Sequence, residues 1–281
     1  MEISKTQFVL TDLPHGKPLS LDVLHAGSAN GKPVIVFIHG FKGFKDWGTF
    51  NMLADFFASH GFVFLKFNFS HNGTTAEKPL DFADLEAFGH NNYSLELDDL
   101  GRVLDEVTAG NFGLAEADRE RLFLIGHSRG GGMALLKAAE DPRINKLATW
   151  AAIGTTNYFY EDPETVKKWK KDGVLYIPNA RTGQQMPLYW QLYENWQQHR
   201  QRLDIPAAAA RLQQPVLLVH GTHDPAVPYA VAETLQQAIP DSRLLAIEGG
   251  DHTFGGTHPF SGEKLPADLQ RVAEETAAFF S

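Results

Sequence analysis

The sequence predicts an α/β domain with a mostly parallel central sheet, helices on both of its faces, and a helical cap inserted late in the chain. Three observations carry this. Continuous apolar runs such as Val34-Ile35-Val36-Phe37-Ile38 and Val216-Leu217-Leu218-Val219 recur along the chain, as strands covered on both faces require. Segments whose apolar residues have helical spacing lie between those runs. A glycine-flanked serine, Gly126-His127-Ser128-Arg129-Gly130, stands between one such run and a helix start near mid-chain.

Taken in order, residues 7–11 and 19–25 read as an antiparallel pair around the turn-rich Pro14-His15-Gly16-Lys17-Pro18. Strand 34–38 runs into His39-Gly40-Phe41-Lys42-Gly43, and helix 50–59 presents Met52, Leu53, Phe56 and Phe57. Strand 62–67 ends in Asn68-Phe69-Ser70-His71-Asn72-Gly73. The polar stretch 73–92 is long for a connection and predicts partial helix or a loop at the mouth of a site. Helix 95–107 carries an apolar stripe of Leu97, Leu100, Val103, Leu104 and Val107. Strand 122–125, helix 133–139 and strand 147–153 follow. The alternation then stops. From 155 to 206 the chain is helix-like, aromatic and charged, with five of the seven tyrosines and three of the five tryptophans. This divides the protein into a core of residues 1–154 and 207–281 and a helical cap of residues 155–206. The rhythm resumes with strand 216–220, helix 230–238, strand 243–247 and helix 269–280.

Composition narrows the function. With 281 residues, 43% hydrophobic and 21% charged, one α/β domain with an insertion is the economical arrangement. A net charge of −9 argues against a nucleic-acid partner, which demands a basic footprint. The absence of cysteine excludes thiol catalysis, iron–sulfur ligation and disulfides. The first residues lack a basic region followed by an apolar one, and no apolar run approaches the roughly 18–20 residues of a membrane span. A cytoplasmic location without membrane association is expected. The run Lys167-Lys168-Trp169-Lys170-Lys171 reads as a solvated helix face.

The chemistry begins at Ser128. A sharp strand-to-helix turn leaves its hydroxyl at the tip, with glycines on either side relieving the crowding. A serine hydroxyl needs a positioned base, and the base an orienting carboxylate; on this kind of turn they follow in the order serine, acid, histidine. Asp224 lies just past strand 216–220 and His252 on the loop after strand 243–247, so all three share one sheet edge. A tetrahedral intermediate also needs two N–H donors, which the Arg129 and Phe41 backbones are placed to supply. His220, His223, Asp251 and His258 lack metal-ligand spacing, and neither metal nor cofactor is expected.

His39-Gly40-Phe41-x-Gly43, Gly126-His127-Ser128-Arg129-Gly130-Gly131, His220-Gly221-x-x-Asp224-x-x-Val227-Pro228 and Asp251-His252-x-Phe254 resemble landmark positions of the α/β-hydrolase superfamily. The resemblance spans almost the whole chain. Within the superfamily the chain is similar to small bacterial capped serine esterases, both feruloyl (cinnamoyl) esterase-like and dienelactone-hydrolase-like. That resemblance implies Ser128 as nucleophile, Asp224 as acid, His252 as base, and Phe41 and Arg129 as oxyanion donors. It also implies cleavage of a small-molecule carboxylic ester through an acyl-enzyme. Two departures stand out: Asn68-Phe69-Ser70-His71-Asn72-Gly73 replaces the Asp-x-x-Gly-x-Gly of many relatives, and an arginine follows the serine. Tyr158, Trp169, Tyr189, Trp190, Tyr193 and Trp196 are the candidate substrate-lining residues of the cap, a set suited to an aromatic or short-to-medium acyl group. A peptidase, amidase or acyltransferase on the same residues, and a non-catalytic ligand-binding protein, are the alternatives. The oligomeric state stays open.

Overall fold

The computed structural model describes residues 2–281. In chain order the strands are β1 (Ile3–Leu10), β2 (Leu19–Ala26), β3 (Pro33–Ile38), β4 (Val63–Phe67), β5 (Asp118–His127), β6 (Ile144–Trp150), β7 (Val174–Pro178), β8 (Gln185–Tyr189), β9 (Val216–Gly221) and β10 (Ser242–Ile247). Eight of them form one sheet in the order β1-β2-β4-β3-β5-β6-β9-β10. The first two joints, β1–β2 and β2–β4, are antiparallel, and every later one is parallel. The chain steps one way from β3 to β4, then crosses back so that β5 lies on the other side of β3. A parallel sheet opens a crevice at such a reversal, beyond the carboxyl ends of the strands. The segments beginning at His39 and Ser128 leave the sheet there.

The helices are α1 (Phe50–Ser59), α2 (Leu85–His90), α3 (Tyr93–Thr108), α4 (Arg129–Glu140), α5 (Pro163–Asp172), α6 (Gln191–Gln198), α7 (Ile205–Ala209), α8 (Tyr229–Ala238) and α9 (Ala267–Phe280). Successive side chains of a strand point to opposite faces, and β3 is buried throughout, so it feeds two cores. Val34, Val36 and Ile38 join Leu97, Leu100 and Leu104 of α3 and Met133 of α4. Ile35 and Phe37 join Leu53 and Phe57 of α1 and Val272 and Phe280 of α9. Each such aliphatic or aromatic side chain contributes about 1.5–3 kcal/mol on burial. In the second core, Trp150 satisfies its indole N–H with the Thr276 hydroxyl at 3.1 Å.

The segment between β6 and β9 is less purely helical than its sequence suggests. Beside α5, α6 and α7 it contains β7 and β8, an antiparallel hairpin separate from the main sheet. Pro178 and Pro187 hide these strands from a sequence reading, because proline cannot donate to a ladder. A two-stranded ribbon tolerates them, since each strand keeps a free edge. The long connection 73–92 does hold a short helix, α2. Its Gly89 lies under the Tyr189 ring of β8 so closely that a Cβ there would stand 2.6 Å from the ring.

Candidate active site

Ser128 sits between β5 and α4 with φ 56° and ψ −119°, a left-handed conformation strained for any residue but glycine. Its neighbours make that turn possible. A Cβ on Gly126 would lie 2.3 Å from the Gly130 carbonyl oxygen, and one on Gly130 would lie 2.2 Å from that of Ile38. The Ser128 N–H donates to the Trp150 carbonyl at 2.8 Å, and the Ser128 carbonyl accepts from Gly131 at 3.0 Å and Ile153 at 3.2 Å. The end of β6, the residues after it and the first turn of α4 thus hold the strained residue in place.

The structure brings the three sequence-predicted residues into one hydrogen-bonded line. His252 Nε2 lies 2.9 Å from Ser128 Oγ, and His252 Nδ1 lies 2.7 Å from Asp224 Oδ2. A carboxylate only accepts, so Nδ1 carries the hydrogen and Nε2 is left to accept from the serine. The other oxygen, Asp224 Oδ1, accepts the N–H groups of Ala226 at 2.8 Å and Val227 at 2.9 Å. Burial opposes ionisation of Asp224, but hydrogen bonds from His220, His252 and Val227 outweigh it and hold the carboxyl well below the usual carboxylate range.

Two further histidines support this line. His220 Nε2 lies 2.9 Å from the Val227 carbonyl and 3.2 Å from Asp224 Oδ2, both of which can only accept, so one fixed N–H serves both. His127 Nε2 donates to the His252 carbonyl at 2.9 Å and anchors the loop that carries His252. The motifs Gly-His-Ser and His-Gly displayed both residues, yet nothing in the sequence says what their rings touch. His258 accepts the Gly48 N–H at 2.8 Å and packs against Trp47, apart from the line. Among the described residues no group of three or more histidines and carboxylates is arranged to hold a metal ion.

Loop 39–49 approaches the serine closely, since a Cβ on Gly40 would stand 3.0 Å from the Ser128 Cβ. That brings Phe41 beside Ser128 and Arg129 in the same cavity. Neither the Phe41 nor the Arg129 N–H has a protein acceptor among the described residues. A buried ionic network fixes the base of the loop: Lys45 Nζ and Lys66 Nζ each lie 2.9 Å from Asp22. The Arg129 side chain turns inward, its guanidinium 4.0 Å from the Phe41 ring centroid, 3.1 Å from the Tyr158 hydroxyl and 3.4 Å from Glu96. It therefore ties the loop to α3 and to the start of the insertion.

A cavity of about 410 Å³ opens over Ser128 and His252, walled by Phe41, Ile153, Tyr158, Val227, Pro228 and Val231. Of the six candidate substrate-lining aromatics, Tyr158 alone reaches it. The other five lie outside its lining. Trp169 is buried, donates its indole N–H to the Leu188 carbonyl at 2.8 Å and packs edge-on against Trp190. Trp190 stacks on Tyr193, and Tyr193 and Trp196 pack on each other and on Tyr160. Tyr189 faces outward and bonds to Glu86 at 2.6 Å. Trp169 joins Met186, Leu188 and Leu192 in the core that also holds α3 and α4, and Trp190, Tyr193 and Trp196 pack against it. Ala226, Val227, Pro228 and Val231 wall the cavity instead; they follow Asp224 in the chain and were missed because they look like an ordinary loop and helix start. Trp169→Ala is accordingly expected to cost about 3–5 kcal/mol of stability by leaving a void. Calorimetry should show it, while the relative rates for short and long acyl esters stay as in the unaltered protein; a changed preference without lost stability would return Trp169 to the pocket wall.

Burial also lowers three imidazoles, His39 and His71 to about 4 and His127 to about 3. In the unfolded chain they titrate near 6.5, so between these values the unfolded state binds more protons and stability falls as pH drops. At pH 5 the loss is about 2 kcal/mol per histidine. Urea unfolding should give a clearly lower midpoint at pH 5 than at pH 7.5, and coincident curves would mean that these rings are not held neutral.

Comparison with known proteins agrees with this architecture. A family model described as TAP-like protein, of the α/β-hydrolase type, matches residues 184–259. The chain is 30% identical over 153 residues to the human serine hydrolase BPHL, covering 48% of this chain and 50% of that protein. It is 27% identical over 132 residues to 2,6-dihydropseudooxynicotine hydrolase of Paenarthrobacter nicotinovorans, covering 46% of this chain and 32% of that one. The chain thus spans half or less of the length of these curated relatives. Among solved structures, Est1E of Butyrivibrio proteoclasticus with bound ferulic acid superposes with a TM-score of 0.71 at 19% identity, covering 97% of each chain. With its sheet order, the turn at Ser128 and these likenesses taken together, the chain has the α/β-hydrolase fold.

Proposed function

We propose that the protein is a serine hydrolase that cleaves a carboxylic ester through an acyl-enzyme. The observation that carries this reading is the unbroken line from Ser128 Oγ through His252 to Asp224, with contacts of 2.9 and 2.7 Å. His252 Nε2 takes the Ser128 proton as Oγ attacks the ester carbonyl, and the ionised Asp224 stabilises the imidazolium that forms. The carbonyl oxygen becomes an oxyanion beside the uncommitted Phe41 and Arg129 N–H groups, which donate to it. His252 then protonates the departing alcohol. Water, activated by the same ring, attacks the acyl group and frees the serine.

Residues 155–206 act in this reading as a cap that lends Tyr158 to the cavity. The apolar wall of Ile153, Val227, Pro228 and Val231 suits an aromatic or short-to-medium acyl group. The relatives named as hydrolases support hydrolysis in general, and the neighbour that holds ferulic acid makes aromatic acyl groups worth testing first. The test is a panel of acetate, butyrate, octanoate and cinnamate esters with matched amides, run alongside labelling by a fluorophosphonate. Ester turnover with label on Ser128 is the expected result. A protein that binds the panel without turnover or label would instead be a ligand-binding member of the fold.

A further inference from the structure

The side chains that line the space over Ser128 carry charge of one sign. Its 410 Å³ cavity is lined by two cationic side chains, Lys42 and Arg129, and by no carboxylate. A smaller recess of about 140 Å³, which Ser128 and His252 also line, is likewise lined by Lys42 and lacks a carboxylate. This is the reverse of the chain as a whole, whose net charge is −9. Arg129 is already committed to Glu96 and Tyr158. Lys42 is not committed in that way, since its Nζ donates to the neutral Pro178 carbonyl at 3.2 Å and lies 5.7 Å from the Phe41 ring centroid.

The backbone adds an independent observation. Lys42 has φ 55°, in the region where a glycine would sit without strain and a lysine does not. The tight turn is closed by the Gly43 N–H and the Gly40 carbonyl at 3.0 Å, a bond that does not involve the lysine side chain. The strained position is therefore occupied by a residue the turn does not need, one that lines both spaces beside the serine while its amine rests on the Pro178 carbonyl. Burial pushes that amine below the usual lysine range, as expected of a partly desolvated cation without an anionic partner.

We infer that this site selects esters bearing a carboxylate, which Lys42 receives at Nζ in exchange for the Pro178 carbonyl while the ester carbonyl lies at Ser128. The inference rests on Ser128 being the nucleophile. The chemistry is the same hydrolysis, and the carboxylate is bound without reacting.

Two matched pairs of substrates distinguish an anion on the acyl side from one on the alcohol side. The first is 4-nitrophenyl hydrogen adipate against its methyl-capped diester; the second is 4-acetoxybenzoate against its methyl ester. In one pair the anionic member should have a kcat/KM on the order of tenfold higher at low salt, because a charge-assisted hydrogen bond replaces a neutral one. Added salt should narrow the ratio. Lys42→Met should abolish the preference, Lys42→Glu should reverse it and Lys42→Arg should keep it. Lys42→Gly relaxes the backbone and guards against a misfolded turn, so it must lose the preference as the methionine variant does. The inference is overturned if neither pair favours the anion, or if Lys42→Gly lowers both members of a pair equally. Fluorophosphonate labelling separates this from the parent reading: a labelled Ser128 with no anionic preference removes the inference alone, whereas an unlabelled Ser128 removes both.

Discussion

Ser128→Ala is expected to lower ester turnover on the order of 10⁴ to 10⁶-fold and to leave the fold intact. In the proposed mechanism the alanine removes the atom that bonds to the acyl carbon while keeping the Cβ of Ser128. His252→Ala should cost a similar amount, because an unassisted serine hydroxyl is a poor nucleophile at neutral pH. The double variant should be barely worse than either single one, since the two groups act as a unit. Initial rates on an activated acetate ester, with circular dichroism to check folding, decide the matter. Undiminished turnover in Ser128→Ala would end the acyl-enzyme reading. His258 cannot readily stand in for His252, because it is engaged with the Gly48 N–H 2.8 Å away.

Asp224→Asn is expected to give a folded protein whose turnover falls by roughly 10³ to 10⁴-fold. The asparagine amide can donate to His252 Nδ1, and the ring then carries its hydrogen on Nε2, facing the serine as a donor instead of an acceptor. The neighbourhood sharpens the expectation. Asp224 Oδ2 receives both His252 at 2.7 Å and His220 at 3.2 Å, while Oδ1 receives two backbone N–H groups. An amide must present NH₂ to one of these donor-rich sides, so some misfit is unavoidable. Turnover per site, obtained by active-site titration, should fall while thermal stability changes far less. A near-silent Asp224→Asn beside a crippled Asp251→Asn would move the acid to Asp251, whose carboxylate caps the Thr253 and Gly255 N–H groups at 2.9 Å.

Much of this arrangement is legible in the chain. Buried parallel strands must be apolar on both faces, so β3, β4 and β9 announce themselves as continuous runs. The turn at Ser128 needs glycine at two fixed places for steric reasons, and those glycines are visible as letters. Strand ends are visible too, which is why Asp224 and His252 fall on the same edge as Ser128. The insertion is different. Its aromatic residues advertise apolar area without saying what they cover, and packing into the core that also holds α3 and α4 decided it for Trp169, Trp190, Tyr193 and Trp196. The hairpin of β7 and β8 was hidden because its prolines contradict the pattern of a buried strand. The ring partners of His127 and His220 were hidden because a hydrogen bond to a backbone carbonyl leaves no trace in side-chain identity.

Ser128 and His252 touch across 124 positions of sequence. At about 5–20 residues per second of synthesis, the strained serine leaves the ribosome on the order of ten seconds before its base exists. During that interval the elbow can already fold against β3 and β6, since its glycines pack there, but it has nothing to draw off the hydroxyl proton. Only the docking of β10 beside β9 delivers the loop with His252. In the proposed mechanism the nascent chain therefore carries its nucleophile without a base until the loop after β10 has been made.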